Sequence, residues 1–147
     1  MTAEVNYLGR GLQFEGVTQS GQIQKIDDPT ETDEPIGPSP MELVLQAAAG
    51  CTGMDVVLIL NKMRRTISDL HILVEADRRE EYPRIFTRIH LIFKLTSPDA
   101  TEAEVEKAIK LSQEKYCSVA GMLRPTVNMT YAFEIKRSPH KLTNIIS

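Results

Sequence analysis

The chain has 147 residues, of which 41% are hydrophobic and 25% charged, and its net charge is −3. This length suits one domain that buries its own core, and the small negative charge excludes a general attraction to nucleic acid or to an anionic membrane surface. The first ten residues alternate apolar and polar and lack the apolar core of a signal peptide. The longest apolar run, Val56 to Leu60, is too short to cross a bilayer. We therefore expect a cytoplasmic protein without nucleic-acid or membrane partners.

The chain has only two cysteines, Cys51 and Cys117, which a reducing compartment keeps as thiols unless they serve redox chemistry. They form no CxxC motif and no Cys/His cluster, so the sequence predicts no metal site. His71 and His90 lie in strand-like segments, where a solvent-facing or core-edge position is expected, and His140 is far from both. No pattern indicates a nucleotide, haem or flavin, and we expect no bound cofactor.

The N-terminal part, residues 3–27, alternates apolar and polar residues between glycines, which predicts two or three short strands. An acidic, proline-rich loop follows at residues 28–38. We predict a single domain, residues 1–147. Its parts are N-terminal β hairpins at 1–27, the loop at 28–38, a helix and strand core at 39–136 and a loose tail at 137–147.

A long helix is predicted from Ser39 to about Arg64. Ser39 suits the N-cap, Pro40 suits the first helical position, and Glu42 completes a capping box three residues after the cap. Between Leu43 and Leu60 the helix is apolar nearly all round, whereas a surface helix has one apolar stripe. The pattern therefore predicts a central, buried helix.

The remaining elements follow in the order strand, strand, helix, helix, strand. The strands are expected at Leu70–Ala76, Phe86–Leu95 and Val127–Ile135, the first two forming a hairpin. The helices are expected at Thr101–Lys115, which begins with a second capping box, and at Ser118–Leu123. The complete order, βββ-α-ββ-αα-β, indicates an α+β fold.

The two cysteines have two interpretations. Both could be inert core residues, since free cysteine is among the most buried residue types. Cys117, however, stands at the start of a predicted helix, where free N–H groups favour a thiolate. Cys51 stands among alanines and glycines, which leave space for a ligand or a second sulfur.

Three segments resemble the OsmC/Ohr superfamily of osmotically inducible and organic hydroperoxide resistance proteins, and one branch of it most of all. Two of them carry the cysteines: GPSPMELVLQAAAGCTGMDVVLIL at residues 37–60 and EKYCSV at residues 114–119. The third, RREEYPRIFTRIHLIF at residues 78–93, resembles the strand pattern of the family. The similarity extends from Val5 to about Ile135.

The resemblance implies an α+β fold in which antiparallel sheets wrap around long central helices of an intertwined homodimer. It also implies reduction of organic hydroperoxides, with Cys51 as the peroxidatic residue, Cys117 as the resolving residue and an external dithiol as reductant. An apolar pocket would hold the organic part of the peroxide, and four residues could line it: Met41, Met54, Tyr116 and Met122.

The sequence also departs from the family pattern. Active members carry a glutamate ten residues before the first cysteine, paired with an arginine, but that position is Met41 here. Glu42 is next to it and is either a catalytic residue or only the capping residue. Arg10, after Gly9, is a candidate for the activating arginine; otherwise it is a solvent-exposed charge. Further candidates lie in the charged turn: Arg78, Arg79, Arg84 and Arg88.

Without a clear Arg–Glu pair, two alternatives to a peroxidase stay open. One is a slow or non-catalytic redox or ligand-binding dimer, and the other is a structural dimer with two inert thiols.

Overall fold

The computed structural model describes residues 1–31 and 33–139. Contacts within the chain divide it into two compact units, Met1–Gln46 and Ala47–Ser147, and each is described by itself. The prediction of a single domain stays a prediction. Of the predicted tail, residues 140–147 lie outside the described residues. Arg137, where the tail begins, donates a hydrogen bond from Nη1 to the carbonyl of Ala100 at 2.5 Å, which anchors that point.

The first unit begins with a three-stranded antiparallel sheet. Strands β1 (Ala3–Tyr7), β2 (Phe14–Thr18) and β3 (Ile23–Ile26) pair in chain order. This confirms the predicted N-terminal strands. The turn between β2 and β3 contains Gly21 at φ 83°, a conformation that glycine adopts without steric cost.

The acidic loop after β3 is organised by one buried carboxylate. Asp27 accepts hydrogen bonds from the backbone N–H groups of Asp28 and Ile36 and from the side-chain amide of Gln13. The loop then passes so close to β3 that a Cβ atom on Gly37 would lie 2.1 Å from the carbonyl oxygen of Lys25. A glycine is therefore required at position 37.

Helix α1 spans Pro40–Lys62. The predicted capping box at its start is confirmed: the N–H of Ser39 donates to the Glu42 carboxylate at 2.7 Å, and the N–H of Glu42 donates to Ser39 Oγ at 3.2 Å. The helix ends two residues before the predicted end, because Arg64 adopts the left-handed region at φ 62°.

Within the second unit, α1 is buried along one face only. That face includes Ala48, Thr52, Val56 and Leu60, and the predicted burial on all sides is not present in the single chain. By length and composition alone α1 could cross a membrane, but its buried face is that of a core helix in a folded domain.

The second unit contains a three-stranded sheet formed by β4 (Asp69–Arg78), β5 (Phe86–Thr96) and β6 (Asn128–Lys136), in that order. Strands β4 and β5 form the predicted antiparallel hairpin. Strands β5 and β6 are parallel, so the expectation of antiparallel sheets is wrong for this pair. The connection between them contains helices, and such a crossover carries the chain from the end of β5 back to the opposite end of the sheet, where β6 begins.

That connection contains two helices and one wider turn. Helix α2 (Glu102–Leu111) starts with the predicted capping box of Thr101 and Glu104. The predicted helical segment up to Lys115 instead ends in a π-helical turn at Ser112–Tyr116. Helix α3 spans Ser118–Leu123, as predicted. The predicted α+β fold is confirmed, and its core is formed by inward-facing residues of β5, α2 and α1.

An ion pair joins the segment that follows α1 to helix α2. Arg65 donates from Nε and Nη2 to both carboxylate oxygens of Glu104 at 2.8–3.0 Å, and the N–H of Thr101 donates to the same carboxylate. These hydrogen bonds, that of Arg65 first, lower the pKa of Glu104 from its ordinary 4.5 to about 2.

This pKa predicts a pH dependence of stability. Between pH 4.5 and pH 2 the unfolded chain binds the Glu104 proton while the folded chain does not, so stability falls as the pH falls through this window. Urea midpoints measured from pH 5 to pH 2 are expected to fall less steeply for Glu104→Gln than for wild type. Glu106→Gln, an exposed change on the same helix, should keep the wild-type slope. Equal slopes for all three proteins would contradict this role of Glu104.

Candidate thiol site

The second unit brings the two predicted cysteines together. The sulfur atoms of Cys51 and Cys117 and one carboxylate oxygen of Asp55 all lie within 4.8 Å of one another. Both cysteines are free thiols. The site therefore consists of two thiols and a carboxylate. Cys51 and Asp55 belong to α1, and Cys117 stands at the start of α3.

The helical repeat of α1 explains the position of Cys51 and Asp55. Residues four apart lie one above the other on a helix, and this pair lies at the border of the buried face. Both residues are half-buried. The site is therefore accessible from the α1 side.

Cys117 is held by the turn that precedes α3. It is the N-cap of that helix, and its sulfur accepts a hydrogen bond from the N–H of Ala120 at 3.3 Å. Its own N–H donates to the carbonyl of Ser112 at 2.8 Å, which closes the π-helical turn. With 4% of its surface exposed, Cys117 is the less accessible of the two thiols.

A chain of buried polar groups leads to the Cys117 sulfur. The Gln113 side-chain amide donates to Thr52 Oγ1 at 2.7 Å, and Thr52 Oγ1 donates to Cys117 Sγ at 3.5 Å. Because Gln113 is the donor to Thr52, the hydroxyl hydrogen of Thr52 is free to point at the sulfur. Next to this chain, Ser112 Oγ donates to Asp55 Oδ2 at 2.8 Å and fixes that carboxylate.

Burial raises the pKa of the Cys117 thiol, and the hydrogen bond with Cys51 raises it further. The N–H of Ala120 and the hydroxyl of Thr52 lower the pKa of Cys117, but burial is the largest influence. Burial therefore outweighs the effect of the helix start on the pKa of Cys117.

Two other candidate catalytic residues, Glu42 and Arg10, belong to the first unit. Glu42 is exposed and makes both hydrogen bonds of the capping box. Arg10 is exposed between Gly9 and Gly11, which have φ values of 81° and 52°. A catalytic role for Glu42 or Arg10 stays a prediction.

The predicted pocket residues are mostly at the surface of the single chain. Met54 is 77% exposed, Met122 73% and Tyr116 51%, while Met41 is half-buried in the first turn of α1. Met54 lies at an open apolar cavity of about 680 Å³, which the other three do not line. Its lining residues are Ala49, Gly50, Gly53, Met54, Val57, Leu58, Asn61, Leu70 and Ile72. The role of the four predicted residues, Met41, Met54, Tyr116 and Met122, as a pocket for the peroxide stays a prediction.

Sequence reasoning missed four residues of the site: Thr52, Asp55, Ser112 and Gln113. Asp55 carried a usable signal, since it is the only charged residue between Leu43 and Leu60 and stands one helical turn after Cys51. A carboxylate at that place in an apolar helix indicates a polar partner or a site. Ser112 and Gln113 gave no such signal, because their partners are distant in sequence.

The comparisons with known proteins agree with this architecture. The family model described as "OsmC-like protein" matches residues 31–132. Protein YhfA of Escherichia coli strain K12 is 46% identical over 135 residues, which cover 92% of this chain and 98% of YhfA. YhfA typifies the branch of the superfamily that the sequence resembles most, and the 46% identity confirms that resemblance.

Two solved structures show the same fold. A hypothetical protein from Aquifex aeolicus VF5 has a TM-score of 0.83 at 32% identity, covering 94% of this chain and 97% of that one. The organic hydroperoxide resistance protein OhrB of Bacillus subtilis has a TM-score of 0.64 at 18% identity, covering 91% and 98%. The family match over most of the chain and the identity to YhfA leave one assignment: the chain belongs to the OsmC-like protein family.

Proposed function

We propose that this protein is a thiol-dependent peroxidase that reduces organic hydroperoxides with Cys51 and Cys117. The observation that carries the proposal is the approach of the two sulfurs to within 4.8 Å. The S–S bond of a disulfide is about 2.0 Å long, so a small movement of two side chains would join them. Fold similarity to a protein named for organic hydroperoxide resistance agrees with this chemistry.

The different burial of the two thiols supports the proposed roles. Cys51 is half-buried and Cys117 is buried, so a peroxide reaches Cys51 first. The Cys51 thiolate attacks the terminal oxygen of R–O–OH, the O–O bond breaks, and RO⁻ takes a proton and leaves as an alcohol. The resulting Cys51 sulfenic acid condenses with the Cys117 thiol to give a disulfide and water.

An external dithiol would complete the cycle. One of its thiolates attacks the Cys51–Cys117 disulfide, and its second thiol resolves the mixed disulfide, so that the dithiol is oxidised and both cysteines are reduced. No bound cofactor takes part in this cycle. A reducing cytoplasm would supply such a dithiol, in agreement with the expected location.

A homodimer is part of the proposal. The outer stripe of α1, formed by Ala47, Gly50, Met54 and Leu58, is apolar and exposed along the second unit. A contiguous apolar surface of this kind marks an interaction site. A second copy of α1 would cover it, and the small residues Ala47 and Gly50 allow a close approach. Cys51 lies at the edge of this stripe, so each thiol site would open beside the dimer contact.

A second candidate function is slow thiol exchange or ligand binding by the same dimer. The observation that favours it is the engagement of Glu42 in the capping box, with Met41 at the position where active family members carry glutamate. Under this alternative the disulfide forms, but hydroperoxide turnover is slow.

A single-turnover experiment tests the proposed peroxidase. Reduced protein is mixed with one equivalent of an organic hydroperoxide, quenched at intervals by alkylation, and analysed by peptide mass spectrometry. We expect a Cys51–Cys117 disulfide to form at the rate at which the alcohol appears, and faster with the organic hydroperoxide than with hydrogen peroxide. Disulfide and alcohol that appear together but slowly, without preference for the organic hydroperoxide, would favour the second candidate function. Two thiols that stay reduced would refute the proposal.

A further inference from the structure

The thiol site has the composition of a metal site. Within it, two sulfurs and one carboxylate oxygen lie within 4.8 Å of one another. Ligands around a tetrahedral zinc ion lie about 2.0–2.3 Å from the metal, which places them roughly 3–4 Å from each other. Small side-chain movements would bring Cys51, Asp55 and Cys117 to those positions.

Two of the three groups, Asp55 and Cys117, accept hydrogen bonds of the kind that orient metal ligands. Ser112 Oγ donates to Asp55 Oδ2 at 2.8 Å, which leaves the other carboxylate oxygen for a cation. The Cys117 sulfur accepts hydrogen bonds from the Ala120 N–H and from the Thr52 hydroxyl. Hydrogen bonds from outer groups that orient the ligands are a regular part of protein metal sites.

We propose that Cys51, Asp55 and Cys117 bind one thiophilic divalent cation of the zinc class. Two thiolates favour zinc over magnesium or calcium, which prefer oxygen ligands. Three protein ligands leave a fourth position of the tetrahedron for water, as in zinc sites that keep an open position. The half-buried Cys51 and Asp55 provide the entry path.

This proposal goes beyond the peroxidase function and does not depend on it. Binding displaces thiol protons and changes no oxidation state. The metal and the Cys51–Cys117 disulfide require the same sulfurs and are mutually exclusive. Metal occupancy would therefore protect the thiols from oxidation, and peroxide would have to compete with the metal for Cys51.

The test uses the full-length protein, reduced with a phosphine and handled without oxygen. Cobalt(II) is titrated first, because thiolate ligands give an intense charge-transfer absorption in the near ultraviolet and a tetrahedral site gives strong visible bands. Zinc affinity is then measured by competition with a chromophoric chelator. We expect one metal ion per chain, thiolate-to-cobalt absorption, and no competition by excess magnesium.

Variants identify the ligands. Asp55→Asn keeps an oxygen that can accept from Ser112 and should weaken zinc binding at least about tenfold, and Ser112→Ala should weaken it about 10- to 100-fold. Asp69→Asn, an exposed change on β4, should bind as wild type. If the wild-type protein binds cobalt without thiolate absorption, the proposal is overturned. This result does not depend on whether the variants fold. Wild-type affinity in Asp55→Asn would overturn the assignment of the carboxylate.

Discussion

Replacing Cys51 with serine is expected to reduce dithiol-dependent turnover of an organic hydroperoxide to the rate without protein. A serine hydroxyl does not ionise near neutral pH and cannot replace a thiolate as the attacking atom. The variant keeps the size of the side chain, and we expect its melting temperature to stay close to that of wild type. The measurement is hydroperoxide consumption with excess dithiol, next to a reaction without protein.

The matched control is Cys117→Ser. Its Cys51 thiol should still consume one equivalent of hydroperoxide, because the attack on the peroxide does not need the second sulfur. The product should then stop at the sulfenic acid, which a dimedone-type reagent traps, or proceed to sulfinic acid with excess peroxide. The opposite pattern, with Cys117→Ser inactive from the first equivalent and Cys51→Ser active, would exchange the two roles.

The parts of this fold that the sequence predicted well depend on local chemistry. The capping boxes of Ser39 with Glu42 and of Thr101 with Glu104 each lie within four consecutive residues, and both helices begin where these residues place them. The hairpin of β4 and β5 was predicted by alternation of apolar residues, since a strand with one buried face has a period of two.

The parts that were wrong or missed depend on distant residues. The parallel pairing of β5 with β6 is decided by the path of the chain through α2 and α3, and no local pattern records it. The hydrogen bonds from Gln113 to Thr52 and from Ser112 to Asp55 join residues about sixty positions apart. The pKa of Cys117 was misjudged for the same reason: a helix start is visible in the sequence, whereas burial by the rest of the chain is not.

The outer stripe of α1 gives the second large expected effect. Replacing Met54 with glutamate is expected to convert the proposed dimer into a monomer. Met54 is 77% exposed in the single chain, so a charge there costs little in the monomer but would be buried at the contact of two α1 helices. Two such charges facing each other cost several kcal/mol, so the dimer dissociation constant should rise on the order of a hundredfold or more.

Sedimentation velocity over a range of protein concentrations measures this effect. The control is Ala103→Glu, which places the same charge at an exposed position on the first turn of α2 and should leave the dimer intact. If Met54→Glu remains a dimer with wild-type affinity, the outer stripe is not the contact between copies. If the variant is monomeric and also loses disulfide formation, the second copy is needed to complete the thiol site. A monomer that keeps single-turnover chemistry would show instead that Cys51, Asp55 and Cys117 work within one chain, as their approach to within 4.8 Å predicts.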